Sequence, residues 1–142
     1  MDAGGARQIL EAFRQFGQRA EGQIGDVVNA TGLELRGDII RRIQSGPASG
    51  RVYQKYNPRR THRASAPGEA PATDTGRLAN SIQFQTETAL SVTVGSQLAY
   101  AASLEFGTST IRPRPSWRPA VEAGRDTFLR RLGEALARAA RG

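Results

Sequence analysis

An α+β fold is the class this chain of 142 residues predicts, and three observations carry that prediction. A helical apolar period runs through residues 5–44. Two segments of period two follow near residues 82–94. A second helical period then runs to about Arg141. The expected architecture is a long N-terminal helix, a small antiparallel sheet made by a hairpin, short helices, and a C-terminal helix packed on the sheet. A chain of this length ordinarily makes one domain with a core of its own. The expected layout is a single domain over 1–142, with a long helix at 1–45, a basic flexible loop or arm at 46–72, and a helix–hairpin–helix–link–helix unit at 73–142.

The first helix rests on Ile9, Phe13, Phe16, Ala20, Ile24, Val27, Leu35, Ile39 and Ile43, which recur at steps of three and four. Leu10, Val28 and Ile40 widen the stripe, and charged residues alternate on the opposite face. Gly17, Gly22, Gly25, Gly32 and Gly37 oppose it, each at about 1 kcal/mol relative to Ala. Two outcomes stay open. An unbroken helix of this length would span roughly 60 Å, against roughly 37 Å for a compact domain of this size, so its stripe would need another chain to cover it. A break near Gly22–Gly25 would instead give two shorter helices.

Residues 45–73 read as loop from their prolines and glycines, with Arg51–Tyr56 a short strand or one arm of a hairpin. A loop this long in a small domain is commonly functional or disordered. Asp74 or Thr75 is placed to cap a short helix, in which Leu78 and Ile82 share a face. Residues 82–86 and 90–94 alternate as strands, with Glu87, Thr88 and Ala89 as the turn and Gly95 as the end of the second strand. Tyr100–Phe106 reads as a short helix with Gly107 as its left-handed C-cap. Residues 111–115 are extended, because each residue before a proline leaves the helical region. Trp117 lies between prolines just before the last helix and is an anchor candidate. Pro119 suits that helix's first turn.

Chemistry is sparse. There is no cysteine and one histidine, His62, which removes disulfide frameworks and Cys- or His-rich metal sites. No apolar run approaches the roughly 20 residues of a membrane span, and the N-terminus lacks the basic-then-apolar layout of a signal peptide. A soluble protein used without export, with no membrane partner, is expected. No nucleophile elbow, phosphate-binding loop or dinucleotide fingerprint is present. Glu69 and Asp74 read as a solvated loop residue and a cap rather than a catalytic pair. The expectation is that the chain is no enzyme and takes no cofactor.

The formal net charge is +7, and every cation but Lys55 is Arg. Arg41, Arg42, Arg51, Lys55, Arg59, Arg60 and Arg63 fall in one stretch with no acid between Asp38 and Glu69. Tyr53 and Tyr56 are interleaved with them. Such an arm suits a phosphate backbone, with rings available for stacking. It equally suits a solvated loop or an acidic neighbouring subunit.

The segments SAPGEAP, DTGRLANSI, VGSQLAYAASLEFGTS and RPRPSWRPA stand in that order between residues 65 and 120. In this succession the chain resembles the tail-completion, neck or head–tail joining proteins of long-tailed bacteriophages. It departs from their pattern at Trp117, where they usually carry Phe, and its basic loop falls in their most variable region. The resemblance implies a structural virion protein at the head–tail junction, made in the host cytoplasm during assembly. It implies a homo-oligomeric ring, six-fold or a multiple, and neighbours among connector, stopper, tail-terminator or tail-tube proteins, with packaged DNA as a further partner. Pro67, Gly68, Gly76, Leu78, Ile82, Tyr100, Glu105, Gly107 and Trp117 are then structural or interface positions, Glu105 being a candidate for an intersubunit ion pair with an Arg. Arg51, Tyr53, Lys55, Tyr56, Arg59, Arg60 and Arg63 form an arm toward DNA or a partner. The alternative reading is a basic nucleic-acid-binding protein.

Overall fold

A computed structural model describes residues 3–72 and 75–142. The fold is α+β, with two small antiparallel hairpins among helices. Helix α1 runs unbroken over Ala3–Ser45, so the one-helix outcome is the observed one, at about 65 Å for its 43 residues. Two of its glycines are contact points rather than breaks. A Cβ on Gly25 would come within 2.6 Å of the Ala89 carbonyl oxygen, and one on Gly32 within 2.7 Å of both Phe84 and Val92. The helix gives up propensity at these two positions so that a hairpin can lie against its backbone.

That hairpin is β3 (Ile82–Thr88) with β4 (Ser91–Ser96). Ile82 pairs with Ser96, Phe84 with Val94 and Thr86 with Val92. Residues directly opposite share a face, so Ile82, Phe84, Val92 and Val94 turn together toward α1, while Gln83, Gln85 and Thr93 are exposed. The turn is shorter than the sequence suggests. Glu87 and Thr88 continue β3, Ala89 and Leu90 make the reversal, and Gly95 lies inside β4 rather than ending it. The Leu90 N–H donates to Thr88 Oγ1 at 3.3 Å, which lets Thr88 serve the reversal from within the strand.

The segment expected as a flexible loop holds a second hairpin, β1 (Val52–Tyr56) with β2 (Arg59–Arg63), joined through Asn57 and Pro58. Helix α2 is a single turn, Arg77–Asn80. Its N-cap is Gly76 in the left-handed region at φ 72°, with no side-chain cap. Thr75, one of the two expected caps, only accepts a 3.4 Å contact from the Arg77 N–H. Asp74 lies outside the described residues. Leu78 sits in α2 whereas Ile82 opens β3, so the expected shared helix face is replaced by a helix end at Asn80. Both side chains still enter the same core.

Helix α3 spans Ala99–Phe106, and α4 spans Trp117–Arg141. Trp117 is therefore the first residue of α4 rather than a residue before it. Gly107 closes α3 with φ 77° but an extended ψ of 177°, a turn out of the helix rather than the left-handed cap expected. A Cβ there would meet the Ile111 carbonyl oxygen at 2.8 Å and Pro113 at 2.9 Å. Helix α4 lies antiparallel along α1. The Arg138 Nε donates to Gln23 at 3.1 Å, Arg131 pairs with Glu34 at 2.8 Å, and the Arg19 Nε donates to the Ala139 carbonyl at 3.2 Å. Its contact face is small, with Ala120, Ala135 and Ala139 buried. The main core gathers Ile39, Ile43, Leu78, Ala79, Ile82, Ala101 and Ala120, with Leu35, Val94, Leu104 and Trp117 packed around them. No described helix is long and apolar enough to cross a membrane.

Candidate functional site

The unusual chemistry of this fold lies on its surfaces. Among the described residues no group of three or more His, Asp or Glu side chains is placed to hold a metal ion. Three surface features stand out: the basic hairpin with its root, the α3–α4 junction, and the N-terminal end of α1.

The basic hairpin is a ribbon about 17 Å long at 3.4 Å per residue. Pairing puts Val52 opposite Arg63, Gln54 opposite Thr61 and Tyr56 opposite Arg59 on one face, and Tyr53 opposite His62 and Lys55 opposite Arg60 on the other. The first face is exposed, with Tyr56 79% exposed beside Arg59 at the tip. On the second, Lys55, Arg60 and His62 are half-buried. The Arg51 guanidinium stands over the Tyr53 ring at 5.9 Å, within cation–π reach. The seven candidate arm residues are thus brought onto one ribbon, although not onto one face.

The root of the ribbon is built. The Gly50 N–H donates to the Ala64 carbonyl and the Ala64 N–H to the Arg51 carbonyl, both at 2.9 Å. Beyond them, the Glu69 carboxylate accepts from the Ser49 hydroxyl, from the Ser49 N–H at 3.1 Å and from the Ala66 N–H at 2.8 Å. Ser49 precedes the ribbon and Ala66 follows it, so one side chain ties both legs. These donors, the Ser49 hydroxyl first among them and then the two N–H groups, hold the Glu69 carboxyl below its usual value. Pro67 is exposed in the turn that carries Glu69. Gly68, at φ 88°, donates its N–H to the Pro113 carbonyl at 2.9 Å. The root is thereby joined to the proline link before α4.

That link is held in turn by α3. The Arg114 N–H donates to the Leu104 carbonyl at 2.6 Å. The Glu105 carboxylate accepts the N–H groups of Ser116 at 2.7 Å, Trp117 at 3.0 Å and Arg118 at 2.8 Å. These are unpaired donors at the start of α4, where the helix dipole favours an anion. Glu105 is therefore an N-terminal cap supplied from another helix. Only proximity in the fold brings it there, and its spacing of eleven to thirteen residues from its donors matches no local capping pattern. Trp117 packs at the edge of the core, while Tyr100 and Phe106 stay 42% and 69% exposed. Phe106, Trp117 and Val121 line an open groove of about 510 Å³ between α3 and α4.

The third feature is the end of α1. Helix α4 reaches Arg19 through Ala139, and the tip of β3–β4 reaches Gly25 through Ala89. Along residues 3–18 no side chain is buried. Ile9, Leu10 and Phe13 are 48%, 69% and 70% exposed, on the stripe that continues into buried Ala20 and Val27. This is the apolar face that the helix length in the sequence foretells.

The family model of HK97-gp10-like proteins, described as tail components of bacteriophage HK97 gp10 type, matches residues 7–107. The chain belongs to that family. The match takes in α1 from Arg7 onward, the basic ribbon, α2, both strands of the second hairpin and α3, and it stops at Gly107, before the proline link and α4. No curated protein and no solved structure matches the chain. A phage tail component is a structural part of the virion, and other virion proteins are its surroundings. The family accords with the resemblance carried by the PG, TG and GT turns, of which Gly68, Gly76 and Gly107 all adopt positive φ.

Proposed function

We propose that this tail component is the subunit of a homo-oligomeric ring, six-fold or a multiple, that completes the tail and joins it to the capsid. In this reading it acts without catalysis or cofactor, as one domain with a projecting arm, beside connector, stopper or tail-terminator proteins at the head–tail junction. The observation that carries the reading is the unpartnered end of α1. A helix that outruns its own core by roughly 24 Å, with Ile9, Leu10 and Phe13 exposed along one stripe, gains by lying against another chain. A ring of identical subunits supplies such a surface to every member.

The test is removal of the gene from the genome that encodes the particle, followed by electron microscopy. Full heads beside complete but unjoined tails, or tails aberrant at the head-proximal end, are the expected result. Normal numbers of joined particles would exclude the role.

A further inference from the structure

We propose that the ribbon Arg51–Arg63 is a binding arm for duplex DNA that holds the phosphate backbone without reading base sequence. Its thirteen residues carry Arg51, Lys55, Arg59, Arg60 and Arg63 and no Asp or Glu. The exposed face presents Arg59 and Arg63 with Tyr56 between the tip and solvent. Duplex DNA offers about one negative charge per 1.7 Å of axis, so a ribbon of about 17 Å spans several phosphates. Two strands are also as much as the roughly 12 Å major groove admits.

A protein partner fits this face less well. Val52 and Tyr56 are its only apolar side chains, each with an arginine opposite, and the ribbon has no acid to balance its five cations. The two amide and hydroxyl side chains midway along that face are engaged with each other, Gln54 Nε2 donating to Thr61 Oγ1 at 3.1 Å. Their mutual bond occupies the uncharged groups of that face able to read base edges, and the arginines that remain can pair with phosphates whatever the sequence. The clamp of Glu69 on Ser49 and Ala66, with the Gly68–Pro113 bond, fixes the root of the ribbon. An arm already ordered loses less entropy on binding than a floppy one.

The experiment measures binding of the full chain to labelled random-sequence duplexes of about 30 base pairs by fluorescence anisotropy, from about 50 to 200 mM salt. The variant is Arg51→Gln/Arg59→Gln/Arg63→Gln. Its control, Arg7→Gln/Arg125→Gln/Arg141→Gln, removes the same charge from exposed positions elsewhere. The arm variant is expected to bind at least about tenfold more weakly, with a salt slope shallower by about 2–3. The control should keep most of its affinity, and duplexes of different sequence should compete equally. Arg59→Gln alone, at the exposed tip, should weaken binding in the same direction and guards against misfolding of the triple variant. Absence of binding by the unaltered chain would overturn the proposal. So would equal losses in the arm and control variants, or an arm that takes polyglutamate in preference to duplex, which would make its partner an acidic protein. The joining role is read from particle morphology, so either idea can fail without the other.

Discussion

Single carboxylates organise much of this molecule. Glu105 fixes the start of α4 by accepting three backbone N–H groups, and Glu69 fixes the root of the ribbon by tying Ser49 to Ala66. Neither role is visible from local sequence, because Glu105 meets its three donors, and Glu69 meets Ser49, only through tertiary contacts. Glu69 has a pH consequence. Its carboxyl titrates below the usual value in the fold, so the unfolded chain binds that proton more readily than the folded one. The contribution is fully present above the ordinary glutamate range and is lost as pH falls through the lowered value. Backbone amide exchange at Ser49 and Ala66, followed by NMR, should accelerate across that acidic interval, in excess of the normal pH trend of exposed amides. In Glu69→Gln the two amides should exchange faster at neutral pH and lose the acid transition. Unchanged protection at both amides would mean that the root is held by its backbone ladder instead.

At the scale of elements, sequence periodicity located both long helices and the β3–β4 hairpin, because each buries a face and leaves the rest exposed, and that pattern survives in the sequence. The turn between β3 and β4 was less legible, since Thr88 and Leu90 lack the Asn-Gly chemistry that marks a short reversal. The ribbon β1–β2 was legible only in its first arm, as a short strand or one arm of a hairpin, since its alternation is of tyrosines with cations rather than of apolar with polar residues. The glycines of α1 were legible as weaknesses but not as contacts, and the distinction predicts opposite outcomes for one kind of substitution. Gly22 has open space where a Cβ would stand, so Gly22→Ala should raise stability by up to about 1 kcal/mol. Gly25→Ala would drive a Cβ against the Ala89 carbonyl, a backbone atom, and overpacking of this kind costs about 1–3 kcal/mol. After the gain in propensity, a net loss of about 1–2 kcal/mol is expected. Urea unfolding of the two variants against the unaltered chain measures both signs. Stabilisation by both would mean that the hairpin tip does not lie on α1.

For the whole molecule, the decisive feature is the mismatch between a helix of about 65 Å and a body that leaves Ile9, Leu10 and Phe13 exposed. The uncovered part adds little to the internal packing, since none of residues 3–18 is buried and Phe16 alone among its large apolar side chains is half-buried. Its apolar side chains are therefore expected to act between molecules. Burying a Leu or Phe side chain is worth about 1.5–3 kcal/mol, and each 1.4 kcal/mol is tenfold in affinity. Leu10→Glu/Phe13→Glu should thus weaken each subunit contact by roughly a hundredfold or more while leaving the thermal midpoint of the subunit itself nearly unchanged. Native mass spectrometry across a concentration series reads the first effect, and circular dichroism at low concentration reads the second. A shift from a ring to monomers with an intact melt is the expected pair of results. An unaltered chain that stays monomeric at high concentration, or a variant ring as strong as the original, would show that this stripe does not hold the ring. The overhang would then be left for a different virion protein to cover. A variant that loses its own melt would contradict the scant internal packing on which the assignment rests.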